Sequence, residues 1–177
     1  CICVKSYEAV RASKAELAAA GLSAGLPNSQ EDIIIATIII VTNQSGIARH
    51  YYNQKQFMHF SKWIENQFSS IGIRIAHTFH CPHHPKISGP CTCRKPKPGM
   101  VIKAARHFRV RLSDSIMVGD SWSDIECAQK VKIGKAVLFK DPQHTTGHAK
   151  PYQPDLHLER SGRYFKARSL SSISRLL

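Results

Sequence analysis

The apolar residues of this chain fall into short runs that alternate with segments of helical spacing. The most apolar run, at residues 33–41, is rich in isoleucine and predicts a buried strand. Shorter apolar runs predict three more strands, at residues 73–79, 115–118 and 136–139. Apolar side chains at helical spacing predict helices at residues 7–20, 54–68, 98–108 and 123–131.

The helix predicted at residues 54–68 is the most regular of these segments. Four large apolar side chains share one of its faces, and we expect that face to pack on the core: Phe57, Phe60, Ile64 and Phe68. Residues 141–177 are weakly patterned, with a last short strand predicted at residues 155–158 and a last helical turn at residues 170–177.

Strands that alternate with helices predict an α/β domain with a parallel sheet and helices on both faces. Ligands of such sheets bind beyond the carboxyl ends of the strands. Three polar segments follow predicted strands, at residues 42–45, 81–95 and 119–124. We therefore expect these segments to meet at one edge of the sheet and to form a site there.

Length and composition favour one globular domain. The chain has 177 residues, of which 42% are hydrophobic, and its longest apolar run is far too short to span a membrane. Its sequence shows no signal-peptide pattern, and we expect a cytoplasmic protein with reduced cysteines. Cys1, Cys3 and Cys127 are then free thiols, with Cys127 on an apolar helix face and in the core. The net charge of +13 favours anionic partners without choosing among metabolites, nucleic acid and membrane surfaces.

Residues 81–93 have the pattern of a closed metal site, C-x-H, seven residues, then C-x-C. Three thiols and one imidazole form a set that is typical of structural zinc: Cys81, His83, Cys91 and Cys93. Thiolates select a borderline metal such as Zn²⁺ over Mg²⁺ or Ca²⁺. The alternative is a set of unrelated free cysteines in an irregular loop.

Two polar segments contain groups that bind phosphate. The turn after the isoleucine-rich strand offers a hydroxyl, amides and backbone N–H groups, from Thr42, Asn43, Gln44 and Ser45. Arg94 and Lys95 follow the last metal ligand directly, and cations held there could stabilise a transferring phosphoryl group. The alternatives are an ordinary strand-to-helix turn and a solvated basic loop.

Asp120 and Asp124 lie four residues apart just beyond a short apolar strand. A carboxylate at that position can bind Mg²⁺, which would bridge to a phosphate. The alternative is that one of these side chains only caps the following helix. For that helix, Ser123 is the predicted N-cap.

Four segments together resemble the haloacid-dehalogenase-like phosphatases. They are IIIVTNQSGIAR at 38–49, CPHHP at 81–85, CTCRKPKPGM at 91–100 and MVGDSWSDIECA at 117–128. The resemblance is closer to the D-glycero-D-manno-heptose 1,7-bisphosphate 7-phosphatases and the histidinol-phosphate phosphatases. It implies a Rossmann-like three-layer sandwich with a parallel sheet and a zinc-binding loop. It also implies Mg²⁺-dependent hydrolysis of a sugar phosphate, first of all at the 7-phosphate of heptose 1,7-bisphosphate.

The resemblance also implies roles for individual residues. Thr42 and Lys95 would stabilise the transferring phosphoryl group, and Arg94 would recognise the substrate. Asn43, Gln44 and Ser45 would line the substrate site. The zinc ligands would be Cys81, His83, Cys91 and Cys93. Asp120 would bind Mg²⁺, and Asp124 would support that site.

One departure from the family pattern concerns the nucleophile. Similar proteins carry an Asp-x-Asp motif, in which the first carboxylate attacks phosphorus and the second acts as acid and base. None of the six aspartates of this chain stands in such a motif. We expect residues 1–177 to form a single domain of this fold that is incomplete or diverged at its amino end.

Three other functions stay open. The chain could bind zinc and a phosphorylated ligand without turnover, or be a polynucleotide phosphatase of the same superfamily. Its charge would also suit a nucleic-acid-binding zinc protein, although the metal loop is better explained by the resemblance to phosphatases. We expect a small phosphorylated metabolite as partner, no membrane or nucleic acid, and a monomer.

Overall fold

The structure is a computed structural model that describes residues 2–4, 37–139, 158–161 and 164–167. All of these residues belong to one compact unit. The predicted helix at residues 7–20 and the predicted final turn at residues 170–177 lie outside the described residues, as does most of the strand predicted at 155–158.

The described strands form one seven-stranded sheet. In chain order they are β1 (Ile2–Val4), β2 (Ile38–Asn43), β3 (Ile75–Cys81), β4 (Ile116–Gly119), β5 (Lys135–Phe139), β6 (Leu158–Ser161) and β7 (Tyr164–Ala167). Their order across the sheet is β3-β2-β1-β4-β5-β7-β6. The four strands predicted from apolar runs are therefore all present, as β2 to β5.

The parallel sheet expected from the sequence is found in β2 to β5 and β7. Strand β2 pairs with β3, β4 with β5, and β5 with β7, each in parallel. Strand β1 lies antiparallel between β2 and β4, with Ile2 opposite both Ile40 and Val118. Strand β6 is antiparallel to β7, because the two residues between them leave no room for a crossover.

Helices cover both faces of the sheet and make three layers. The helices are α1 (Gln54–Ser70), α2 (Gly99–Phe108) and α3 (Trp122–Lys130), with a 3-10 turn at Leu112–Asp114. On one face, the Phe57 ring of α1 lies 4.6 Å from the His80 ring of β3. On the other, the Phe108 ring of α2 meets the Phe79 ring edge-on. No helix in the described ranges is long and apolar enough to cross a bilayer.

The larger core lies between the sheet and the helices α2 and α3. Its most buried members come from alternate positions of the strands and from the inner faces of these helices: Ile39, Val41, Met117, Leu138, Met100, Val101, Ile125 and Cys127. Cys127 is fully buried, as its place on an apolar face predicted. Because the backbone of α2 and α3 is fixed against the strands, the loops at the carboxyl edge start from rigid positions.

Two predicted details of the helices are wrong. Phe60 is 55% exposed and stacks on the exposed ring of Trp63, so the core face of α1 is narrower than the spacing suggested. The N-cap of α3 is Ser121 and not Ser123, because the chain turns into the helix directly after β4. Ser121 forms a reciprocal capping box with Asp124, which ties that carboxylate to the start of the helix.

Replacing Phe57 by alanine should lower the free energy of unfolding by about 3–5 kcal/mol, because a buried aromatic ring is lost between α1 and β3. The same change at Phe60 should cost less than about 0.5 kcal/mol, because that ring is largely in solvent. Denaturant unfolding followed by circular dichroism measures both variants. Equal losses would contradict the different burial of these two side chains.

Candidate active site and metal centre

The carboxyl ends of β2, β3 and β4 bring the predicted site residues together. Parallel strands end at the same edge, so the turn after β2, the loop after β3 and the turn after β4 are neighbours. Direct contacts join them: the backbone of Lys95 bonds to Asn43, and its ammonium meets Asp124. The expected convergence of three polar segments is found in the structure.

The four predicted zinc ligands form one cluster. Their nitrogen and sulfur atoms all lie within 4.8 Å of one another. The Cys81 sulfur is 3.7 Å from that of Cys91 and 3.0 Å from that of Cys93. The His83 Nδ1 atom is 3.5 Å from the Cys81 sulfur and 3.3 Å from the Cys93 sulfur.

These distances fit a small four-coordinate ion. Zinc–sulfur bonds in a regular tetrahedron place the sulfurs about 3.8 Å apart, and sulfur and nitrogen slightly closer. Two of the four distances match this spacing and two are shorter, so the ligand atoms converge on one point. Three thiols and one imidazole suit zinc chemically, and they would hold it as a closed structural site.

Protonation opposes metal binding at Cys81. Burial, together with a hydrogen bond to Cys93, raises the pKa of the Cys81 thiol to about 12. Zinc binds the thiolate, so an incoming ion must displace this proton. Zinc affinity should therefore fall as the pH falls.

The metal loop and the phosphate-binding turn share Cys81. Its sulfur faces the metal cluster, while its carbonyl oxygen accepts a 2.8 Å hydrogen bond from the backbone N–H of Gln44. The next carbonyl, of Pro82, accepts from the backbone N–H of Ala48 at 3.3 Å. The turn after β2 is thus fastened to the first segment of the metal loop.

Lys95 is the buried cation of the site. The residue is 6% exposed; its Nζ donates to the Val41 carbonyl at 2.7 Å and forms an ion pair with Asp124 Oδ1, also at 2.7 Å. Asp124 is 2% exposed, so the pair is shielded from solvent. A charged pair at this depth is stable only when both members are well bonded.

Asn43 fixes the backbone of Lys95. The Asn43 Oδ1 atom accepts from the Lys95 N–H at 3.0 Å, and its Nδ2 donates to the Lys95 carbonyl at 3.1 Å. The resemblance implied that Asn43 lines the substrate site. In the structure its amide is bonded to the backbone of Lys95 and holds that residue in place, while the substrate contact stays a prediction.

A chain of hydrogen bonds runs along the turn after β2. The Tyr52 hydroxyl donates to Gln44 Oε1 at 2.6 Å, and Gln44 Nε2 donates to Thr42 Oγ1 at 3.0 Å. Thr42, Gln44 and Ser45 all lie half-buried at the edge of the sheet. Tyr52 was not predicted from the sequence, because it stands in a polar segment that carries no recognisable motif.

The half-buried Arg94 bridges back to the metal loop. Its Nη1 atom donates to the carbonyl of His83 at 3.1 Å, so the side chain lies beside the metal cluster. Arg49, which sequence reasoning also missed, contacts the ring of His84 at 2.9 Å. Both guanidinium groups therefore lie on the metal loop.

The two aspartates after β4 have different surroundings. Asp120 is exposed directly beyond the strand. Asp124 is buried, with Oδ1 on Lys95 and Oδ2 accepting from the Ser121 N–H at 3.1 Å. Gly119 is required beside it, because any Cβ there would collide with the Asp124 carboxyl group. Asp120 is thus the more accessible of the two carboxylates, whereas Asp124 is bonded to Lys95 and Ser121.

Replacing His83 by asparagine should remove the bound zinc, because one of four ligands is lost. The same change at the neighbouring His84, which lies outside the cluster, should leave the metal in place. Zinc content per chain, measured by mass spectrometry of the purified proteins, separates the two variants. A zinc-loaded His83→Asn protein would contradict the ligand set.

Replacing Asp124 by asparagine should lower the free energy of unfolding by about 3–5 kcal/mol, because Lys95 would be left buried without its counter-charge. Glu126→Gln, the matched change in the same helix, should cost less than about 1 kcal/mol, because that carboxylate pairs with Lys130 at 4.0 Å on the surface. Denaturant titrations provide both values. Similar losses would show that the buried pair contributes no more than a surface one.

Residues 92–160 match the family model for HAD-hydrolase-like proteins. The chain is also similar to proteins named heptose-1,7-bisphosphate 7-phosphatases. It is 41% identical over 116 residues to the D-glycero-alpha-D-manno-heptose-1,7-bisphosphate 7-phosphatase of Photorhabdus laumondii, covering 63% of this chain and 61% of that protein. It is 36% identical over 117 residues to the beta-specific counterpart of Pasteurella multocida, covering 64% of each. The chain thus spans less than two thirds of the length of these relatives.

Two solved structures resemble the fold. The D,D-heptose 1,7-bisphosphate phosphatase of B. bronchiseptica, solved with magnesium and phosphate, has a TM-score of 0.53 at 32% identity, covering 58% of this chain and 56% of that one. A protein of Mesorhizobium loti described as a HAD-like phosphatase has a TM-score of 0.61 at 23% identity, covering 78% of this chain and 62% of that one, and shows the fold alone. Motifs, sheet and sequence similarities agree in their resemblance to the haloacid-dehalogenase-like proteins.

Proposed function

We propose that this chain contributes the phosphate and metal sites of a Mg²⁺-dependent phosphatase that removes the 7-phosphate of heptose 1,7-bisphosphate. The observation that supports this most directly is the buried ammonium of Lys95 at the carboxyl edge of the sheet, next to the turn that holds Thr42. A cation fixed in a low-dielectric position stabilises a phosphoryl group far better than one in solvent.

Lys95 has a donor to spare for substrate. An ammonium group carries three N–H bonds, of which the hydrogen bond to Val41 and the ion pair with Asp124 use at most two. The third can bind a phosphoryl oxygen. Because Asn43 and Asp124 hold the residue, and zinc would fix the loop before it, this donor needs no reorganisation when charge develops on the substrate.

Asp120 would hold the magnesium ion. Its exposed carboxylate stands at the same edge, and a hard oxygen ligand is the kind that Mg²⁺ binds, together with water and phosphate oxygens. When bound, the ion supplies neutralisation of the phosphate charge. The two oxygens of Asp124 contact Lys95 and the Ser121 N–H, so this residue would act indirectly, by holding Lys95 in position.

The substrate assignment rests on the relatives. Both curated relatives described above are named as heptose bisphosphate phosphatases, and the B. bronchiseptica enzyme carries magnesium and phosphate. Arg94 and Arg49, half-buried or exposed beside the metal loop, supply the positive charge that a phosphorylated sugar requires. Histidinol phosphate is the alternative substrate.

The free cysteines among the described residues support a cytoplasmic location.

A second candidate is a protein that binds zinc and a phosphorylated ligand without turnover. The 177 residues contain no Asp-x-Asp motif. In addition, the strand between β2 and β4 is Ile2–Val4, which has no carboxylate. A phosphatase of the proposed kind needs a nucleophile close to Lys95 and Asp120, and this observation favours the binding role for the isolated chain.

Phosphate release by the purified, zinc-loaded chain with Mg²⁺ tests the enzymatic proposal. The substrates are heptose 1,7-bisphosphate, histidinol phosphate and a 3′-phosphorylated oligonucleotide. Release from the heptose should be fastest, and Asp120→Asn should reduce it by at least about a hundredfold, because the metal ligand is lost. Asp114→Asn is the matched control, since that residue lies at the opposite end of β4 and pairs with Arg111.

Release that survives Asp120→Asn would contradict the assigned metal ligand, and fastest release from the oligonucleotide would contradict the sugar substrate. Calorimetric titration with inorganic phosphate separates the two candidates when no release occurs. Saturable, Mg²⁺-dependent binding without turnover would support the binding role. Absence of both would contradict each of them.

A further inference from the structure

We infer that Tyr52 is a positioning residue, which acts through Gln44 to orient the Thr42 hydroxyl as a hydrogen-bond donor toward the substrate phosphate. The inference rests on the proposed function, because it assigns the direction of one hydrogen bond in that phosphate site. Neither the family motifs nor the sequence pattern points to Tyr52. A chain of contacts from its hydroxyl to that of Thr42 supports the inference.

The two distances in this chain fix the orientation of the Gln44 amide. The contact between Tyr52 and Gln44 is 2.6 Å, which is normal for O–H···O and shorter than usual for N–H···O. The contact between Gln44 and Thr42 is 3.0 Å, which is normal for N–H···O. Gln44 therefore turns its carbonyl to Tyr52 and its NH₂ group to Thr42.

This orientation decides what the Thr42 hydroxyl can do. A hydroxyl has one proton to donate, and here its oxygen already accepts from Gln44. Its proton is thus directed to a different acceptor. If the amide were reversed, Thr42 would donate to Gln44, and only its lone pairs would be left for the ligand. Lone pairs repel phosphate oxygens, so the orientation matters for binding.

Tyr52 is well held at the start of this chain. Its ring lies directly over Gly46, where a Cβ atom would come within 2.5 Å of the ring carbon Cε1. The neighbouring backbone is closed by a 3.0 Å bond from the Tyr51 N–H to the Gly46 carbonyl. At the far end, the backbone N–H of Gln44 is bonded to Cys81. The ring of Tyr52 and the backbone of Gln44 are therefore both held in place around the Gln44 amide.

Tyr51 provides a matched control. It is adjacent to Tyr52 in the sequence but is 73% exposed. Its replacement by phenylalanine removes the same hydroxyl group at a position outside the hydrogen bonds that link Tyr52, Gln44 and Thr42. Tyr52→Phe removes only one oxygen and keeps the ring over Gly46. Thermal unfolding of the two variants shows whether the fold is equally retained in both.

The test is a double-mutant cycle on the affinity for inorganic phosphate, measured by calorimetry on the zinc-loaded chain with Mg²⁺. Tyr52→Phe should weaken binding by about threefold to tenfold, the size of one hydrogen bond, and Tyr51→Phe should not. In a Thr42→Val background Tyr52→Phe should have no further effect, because the hydroxyl through which it acts is missing. A merely structural role of Tyr52 would give the same loss in both backgrounds, and that result would overturn the inference.

A second readout needs no ligand. Nuclear magnetic resonance of the Gln44 side-chain amide should show one defined orientation in the wild-type and Tyr51→Phe proteins, and exchange broadening or a shift in Tyr52→Phe. Unchanged Gln44 signals in Tyr52→Phe would overturn the inference even if the wild type binds phosphate. If the wild type binds none, the proposed function fails, and these signals alone decide whether Tyr52 orients the amide.

Discussion

The buried ion pair between Lys95 and Asp124 is the interaction on which the rest of the site depends. Two charges removed from water are tolerated only where each is bonded on several sides. Lys95 meets this condition through Val41, Asp124 and the Asn43 amide on its backbone. Asp124 meets it through the first turn of α3. The segments that converge at the carboxyl edge thus supply the bonding partners that the buried ammonium of Lys95 requires.

The metal loop replaces a hydrophobic core in this part of the chain. Residues 82–98 form no helix or strand, and most of them are half-buried or exposed. A closed metal site can hold such a loop in one conformation where apolar contacts are too few. Cys81 joins this loop to the turn after β2, and Cys93 stands two residues before Lys95. A metal bound by this cluster would therefore position the cation and the turn without touching a substrate.

Local patterns were sufficient to predict strands β2 to β5, the described helices and the cluster of cysteine and histidine side chains. Each depends on spacing within a few residues, as in the C-x-H and C-x-C pairs. Contacts between distant segments were not predictable. Whether Asp124 binds a metal or Lys95 depends on how α3 leaves β4, and Ser121 rather than Ser123 caps that helix. Tyr52 was missed for the same reason, since only the folded turn brings it to Gln44.

Gly119 has a consequence for how this sequence can evolve. A side chain at that position would displace Asp124, and Lys95 would then be buried without its counter-charge. A single substitution at Gly119, Asp124 or Lys95 thus gives an unstable protein, so each of these positions restricts change at the other two. Selection for folding alone would keep the trio intact. The presence of these three residues in a sequence therefore reflects a requirement for stability as well as one for catalysis.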